Sequence, residues 1–61
     1  MTRTTLEHAV KSGKQVYRLS LGRIPVYEPI TVDTSKAHKD GLCYWTSDNG
    51  WSYWDATVYV P

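Results

Sequence analysis

The sequence predicts an α+β fold in which one short N-terminal helix packs on a small antiparallel sheet of three or four strands, ending in an aromatic β-hairpin. Three observations support this class: a helix-start signal at Thr4, a change to period-two alternation from Gln15 onward, and the turn signal Asp48-Asn49-Gly50 between two aromatic segments. The chain has 61 residues, so we expect a single small domain over residues 1–61.

The first predicted element is a helix that begins at Thr4. Thr4 and Glu7 have the spacing at which a hydroxyl and a carboxylate satisfy the first free amides of a helix. An apolar stripe at positions i, i+3 and i+4 follows, formed by Leu6, Ala9 and Val10. Gly13 is placed to end the helix in the left-handed conformation. A helix of about eight residues is not stable alone in water, so it must dock on the sheet.

Two strands are predicted after the helix. Residues 15–21 alternate, and their larger apolar side chains share one face: Tyr17, Leu19 and Leu21. Gly22-Arg23 offers a turn, after which Pro25 and Pro29 remove two backbone donors. A strand with prolines belongs at a sheet edge, or is broken near Pro29 into two pieces. The polar residues 33–41 show neither period and are expected to form a surface loop.

The last predicted element is a β-hairpin over residues 42–60. A two-residue turn at Asn49-Gly50 places Trp45 opposite Trp54 on the core face. The outer face then carries an aromatic stripe: Tyr44, Trp51, Tyr53 and Tyr59. A four-residue loop preserves these faces, whereas a three-residue loop with a bulge exchanges Trp45 with Tyr44.

Composition excludes several classes of protein. Seven basic and six acidic residues give a formal net charge of +1, far from the strongly basic balance of a dedicated duplex-DNA binder. No apolar run approaches the ~18 residues of a membrane span, and no signal-peptide core follows the N-terminus. The single cysteine, Cys43, has no partner for an internal disulfide and fits a reducing compartment. We therefore expect a cytoplasmic protein without membrane contact.

The aromatic stripe is the candidate binding surface, because Tyr and Trp are the usual anchors of interfaces. The predicted anchors are Tyr44, Trp51, Tyr53 and Tyr59, with Arg18, Lys36 and Lys39 on a charged rim. The alternative is that the helix or a second copy of the chain covers the stripe. A homo-oligomer therefore stays open, since a domain of this size needs support beyond its own core.

No catalytic or metal-binding motif stands out. Cys43 is the candidate nucleophile with His38 as its base, but Cys43 shares the parity of Trp45 and is expected to point into the core, where a thiol is inert. His8 and His38 lie far apart, and no Cys/His set has zinc-site spacing. A domain this small rarely has room for the ~300 Å³ pocket that a substrate needs. We expect no enzymatic activity, no metal and no cofactor.

The segment from Leu6 to Val16 resembles the helix, Gly-Lys, strand opening of many short phage-encoded proteins, some of which sequester nucleotide signals. The resemblance assigns no family. The small size of the chain favours an accessory protein of a phage or mobile element, and the aromatic stripe predicts that this protein binds and inhibits or modulates a larger host protein. The alternative is binding of a small molecule, a nucleotide or single-stranded nucleic acid on the same stripe, including across a homodimer.

Overall fold

The computed structural model describes residues 1–36 and 40–61, which contain one helix and seven strands. In chain order they are β1 (Thr2–Thr5), α1 (Leu6–Ser12), β2 (Val16–Leu21), β3 (Pro25–Ile30), β4 (Val32–Asp33), β5 (Cys43–Thr46), β6 (Gly50–Tyr53) and β7 (Thr57–Val60). One antiparallel sheet has four strands in the order β1-β7-β2-β3, and the other has three in the order β4-β5-β6. The predicted α+β class is confirmed, but a single sheet of three or four strands is wrong.

The helix begins one residue later than predicted, because Thr5 and not Thr4 is the N-cap. The Thr5 hydroxyl accepts a hydrogen bond from the His8 backbone N–H at 3.2 Å, and Thr5 has the extended backbone of a cap. Residues before the helix form β1, an edge strand that the sequence reading did not predict. The helix ends as predicted at Gly13, whose φ of 72° is left-handed.

The core forms where α1 and the three-stranded sheet meet one face of the four-stranded sheet. Its buried residues are Leu6, Ala9, Val16, Ile30, Val58 and Val60. From the smaller sheet, Val32 and Tyr44 pack against this cluster. Such a core is small, so each of its side chains carries a large share of the stability.

The opposite face of the four-stranded sheet is apolar as well. The strand register places Tyr17 opposite Tyr59, and Leu19 opposite Tyr27. We call this surface the tyrosine face; it consists of Tyr17, Leu19, Leu21, Tyr27 and Tyr59. The buried side of β2 therefore carries Val16. The larger apolar side chains predicted to share the buried face, Tyr17, Leu19 and Leu21, lie on the opposite side. β3 lies at the edge of this sheet, as its two prolines predicted.

The hairpin of β5 and β6 has a different register from the one first expected. Trp45 lies opposite Trp51, and Tyr44 lies opposite Ser52. The loop therefore has three residues, Ser47 to Asn49, followed by Gly50 at a φ of 72°. The two-residue turn at Asn49-Gly50 is wrong, and the three-residue alternative is the correct one.

The chain does not end in this hairpin, because the second hairpin strand stops at Tyr53. The Ala56 N–H donates to the Tyr53 carbonyl at 3.0 Å and closes a turn. The chain then enters β7, which lies between β1 and β2 in the four-stranded sheet. Residues expected to form one long aromatic strand are therefore divided between two sheets.

Gly50→Ala is expected to lower the free energy of unfolding by about 1–2 kcal/mol, because the left-handed conformation crowds a Cβ against the following carbonyl. A Cβ at Gly50 meets no other atom within 4 Å, so the cost comes from the backbone alone. Gly22→Ala is the matched control: it also lies in a turn with open space around it, but its φ is not in the left-handed region. Urea unfolding followed by tryptophan fluorescence measures both variants, and equal effects would contradict the described turn.

Candidate functional site

The outer surface of the three-stranded sheet carries most of the exposed aromatic area of the hairpin. Alternation along β5 and β6 puts four side chains on this surface, which we call the tryptophan face: Cys43, Trp45, Trp51 and Tyr53. Trp51 is 43% exposed and Tyr53 is 63% exposed, whereas Trp45 is half-buried. The surface is thus formed by three large rings held on regular strands.

The inner side of this small sheet explains why the rings point outward. Thr46 and Ser52 are buried there, and their hydroxyl oxygens are hydrogen-bonded at 3.1 Å. Thr46 Oγ1 also donates to the Gly50 carbonyl at 3.2 Å. This part of the inner surface is therefore built from small polar side chains that hydrogen-bond to one another, as buried hydroxyls require.

Arg18 joins the two sheets across this polar inner surface. Its Nε donates to Asp48 Oδ2 at 2.9 Å and its Nη2 donates to Asp48 Oδ1 at 3.3 Å. A further Nη1 bond reaches the Thr57 carbonyl at 3.4 Å, and Nη2 lies 3.5 Å from Ser52 Oγ. The guanidinium beside Asp48 lowers the pKa of that carboxyl below its usual range. Arg18, expected on a partner-binding rim, thus has a structural partner within the chain.

Trp45 and Trp51 form a directly opposite cross-strand pair. In the same ladder the Trp54 N–H donates to the Leu42 carbonyl at 2.9 Å. Because hydrogen-bonded and non-hydrogen-bonded pairs alternate in antiparallel sheets, Trp45 and Trp51 occupy a non-hydrogen-bonded position, where side chains lie closer together. Such pairs stabilise a hairpin by roughly 0.2–1 kcal/mol, so these rings contribute to the fold as well as to the surface.

Charges of both signs border the tryptophan face. The Lys36 ammonium lies 4.4 Å from the centroid of the Trp45 ring, in cation–π geometry. Asp33 lies opposite Trp45 on β4. Hydrogen bonds from the Ser35 side chain and backbone lower the pKa of Asp33, so this carboxylate is charged at neutral pH. The described border therefore has a cation over one ring and an anion on the neighbouring strand β4.

The structure separates the four predicted anchors. Trp51 and Tyr53 share the tryptophan face, whereas Tyr44 lies on the inner side and packs against the core. Tyr59 belongs to the tyrosine face of the other sheet, where its ring meets that of Tyr27 edge-on with centroids 5.2 Å apart. Trp45 joins the two remaining anchors in their place, as the three-residue loop alternative implied.

Two of the predicted rim cations remain to be placed. Lys36 lies beside Trp45, as the cation–π contact shows. Lys39 and the candidate base His38 lie outside the described residues. Of these two predicted rim cations, the structure therefore places Lys36 only.

Cys43 lies on the tryptophan face, so its expected position inside the core is wrong. Its parity with Trp45 is as predicted, but both residues are on the outer side of the sheet. Partial burial, followed by the negative charge of Asp40, raises the pKa of the Cys43 thiol. A thiol with a raised pKa stays protonated at neutral pH and is a poor nucleophile.

A groove of about 350 Å³ lies beside the end of the helix, which is more room than the sequence led us to expect. Val16 and Ile30 contribute its buried apolar residues, and Lys14 is among its exposed ones. The Gln15 side-chain amide donates hydrogen bonds to the backbone carbonyls of Val16 and Ile30, at 3.1 Å and 2.9 Å. Among residues 1–36 and 40–61, no three His, Cys, Asp or Glu side chains gather in a group that could hold a metal ion.

No protein-family model, no curated protein and no solved structure matches this chain. Its function is therefore inferred from its own residues and their geometry. In the part of the chain that the structure describes, no helix has the length and apolar character needed to cross a membrane.

Proposed function

We propose that this protein is a small non-enzymatic binding module that attaches to a larger protein through the tryptophan face and thereby inhibits or modulates it. The observation that supports the proposal is the placement of Trp45, Trp51 and Tyr53 on one surface, with Tyr53 63% exposed. Exposed aromatic patches of this kind mark interaction sites on small proteins. The phage or mobile-element setting belongs to the same proposal and rests on the small size of the chain.

The rings of the tryptophan face are fixed on regular strands, which favours high affinity even where the interface area is small. They lie on paired strands, so little conformational entropy is lost when a partner orders them further. Trp and Tyr are enriched among the residues whose truncation costs 2 kcal/mol or more in interfaces. Lys36 and Asp33 flank the rings with opposite charges, which suits a protein surface of ordinary polarity better than a polyanion.

Stacking of a nucleotide or single-stranded nucleic acid on the same rings is the alternative. Each stacked base contributes about 1–3 kcal/mol, but such grooves usually add several cations along the backbone. Among residues 1–36 and 40–61, Lys36 contacts a ring of the tryptophan face, and Arg18 is already paired with Asp48. The described charges therefore favour a protein partner over a nucleic acid.

The test uses peptide and small-domain ligands selected from display libraries on the immobilised protein. Trp51→Ala and Tyr53→Ala are each expected to raise Kd by at least about 30-fold, which corresponds to 2 kcal/mol. Ile24→Ala is the matched control, because Ile24 is 75% exposed in the turn between β2 and β3, outside both aromatic faces, and we expect its loss to leave Kd unchanged. Circular dichroism of each variant verifies that the fold is retained.

The outcome that overturns the proposal is a set of ligands whose Kd values are insensitive to Trp51→Ala and Tyr53→Ala. Titration with oligothymidine distinguishes the alternative. Nucleic-acid binding on this face shows an affinity that falls steeply between about 50 and 200 mM salt, whereas protein binding here is nearly insensitive to salt.

A further inference from the structure

We infer that the tyrosine face is a self-association surface, on which a second copy of the chain packs sheet against sheet about a two-fold axis. This inference concerns the four-stranded sheet and does not depend on the function proposed for the tryptophan face. It starts from Leu21 and Tyr27, which are 83% and 42% exposed on that sheet.

The tyrosine face is apolar where an ordinary antiparallel sheet is polar. A sheet with one side packed on the core usually shows alternating polar residues on its other side. Here the strands β7, β2 and β3 place Tyr59, Tyr17, Leu19 and Tyr27 next to one another. The edge-on contact of Tyr27 with Tyr59 holds these two rings in fixed positions, which reduces the entropy lost when they are covered.

The charge on this face favours a copy of itself as the occupant. The register places one charged residue on this side of the strands, Arg3 on the edge strand β1. Arg18 and Glu28 pair with each other in the register and belong to the opposite side. A two-fold interface brings each surface against itself, so a surface with many like charges would repel its copy. An almost uncharged face carries no such penalty and offers a charged partner nothing to pair with.

The area of the tyrosine face determines how strongly two copies could associate by packing sheet against sheet. The two four-residue and two six-residue strands, at about 3.4 Å per residue and about 4.8 Å between strands, give roughly 330 Å² of flat surface per copy. Standard stable interfaces bury about 800 Å² of accessible surface per partner, so the dimer is expected to be weak and concentration-dependent. Pro25 and Pro29 weaken pairing at the β3 edge, which leaves the face rather than that edge as the surface for association.

Sedimentation equilibrium over about 1 μM to 1 mM tests the inference, because a weak dimer forms and dissociates as the protein concentration changes. The 7.0 kDa chain is expected to shift toward twice this mass as its concentration rises. Leu21→Lys, which adds a charge at an 83% exposed position, is expected to weaken dimerisation at least 10-fold without unfolding the protein. Ile24→Lys is the matched control, because Ile24 is 75% exposed in the neighbouring turn and outside the face.

Two results overturn the inference. One is a wild-type protein that stays monomeric at the highest concentration. The other is a dimer that withstands Leu21→Lys but is lost in Tyr53→Lys, which would place self-association on the tryptophan face. The second result would also remove that face from partner binding, whereas the first leaves the proposed function untouched.

Discussion

Leu6→Ala is expected to leave the protein unfolded or barely folded at 25 °C. Leu6 is fully buried at 0% exposure, and truncating a buried leucine to alanine costs about 2–5 kcal/mol. A core in a domain of this size rarely supplies more than about 3–5 kcal/mol of net stability. Leu6 is also the first residue of α1, and its N–H donates to the Ala56 carbonyl at 2.9 Å, so its side chain and backbone both tie the helix to the sheet.

Thermal and urea unfolding, followed by circular dichroism and tryptophan fluorescence, measure this effect. Leu21→Ala is the control, since it removes the same atoms from an 83% exposed position and is expected to change stability by no more than about 0.5 kcal/mol. A Leu6→Ala protein with the melting temperature of the wild type would contradict the described core.

Arg18→Met is expected to lower the free energy of unfolding by about 1.5–3 kcal/mol, the range for hydrogen bonds to charged groups. Methionine keeps most of the apolar stem, so the loss reports on the bonds from the guanidinium to Asp48, Ser52 and Thr57. The Arg18 and Asp48 side chains are only 21% and 30% exposed, which limits screening by solvent. Glu7→Gln is the control: it breaks a surface ion pair with Lys11, whose side chain is 72% exposed, and is expected to cost about 0.5 kcal/mol or less.

The same bridge predicts a pH dependence whose sign follows from the lowered pKa of Asp48. Because folding lowers this pKa below its ordinary value of 3.8, the bridge contributes its full stability above that value. The contribution is lost as the pH falls through the folded-state pKa. Acidification below about pH 4 should therefore destabilise the wild type more than Arg18→Met. Parallel acid unfolding curves for the two proteins would show that Arg18 does not hold the Asp48 charge.

The features that sequence predicted correctly depend on signals within a few residues. Gly13 ends the helix because glycine alone adopts the left-handed conformation without strain, and the periodic residues before it mark the helix itself. Pro25 and Pro29 direct their strand to the sheet edge because neither can donate to a neighbouring strand. Each of these signals has one physical consequence, whatever the rest of the chain does.

The hairpin register could not be read from the sequence in this way. Asp48-Asn49-Gly50 is compatible with loops of two, three or four residues, and adjacent aromatic residues at Tyr44 and Trp45 make either parity a plausible core face. The register found in the structure depends on the bond between Arg18 and Asp48, residues 30 positions apart. It also depends on the Ser52 hydroxyl, which the Arg18 side chain covers. Since polar residues face inward here, a hydrophobic pattern predicts the wrong side.

The strand β1 and the chain break before β7 were not predicted, for related reasons. β1 is a short edge strand without alternating hydrophobicity, and its threonines are equally typical of a helix cap. The break before β7 falls at Trp54 and Asp55, where no glycine or proline marks a turn. The two halves of one aromatic segment therefore enter different sheets without a local signal.

The two aromatic faces point away from each other, because the inner sides of both sheets meet across Arg18 and the core. A dimer joined at the tyrosine faces would therefore display two tryptophan faces at its opposite ends. After one end has bound, the other is held at an effective concentration in the millimolar range toward any second site it can reach. Such a protein would bind a multimeric target with an avidity that a single face cannot achieve, and would bridge neighbouring copies of that target.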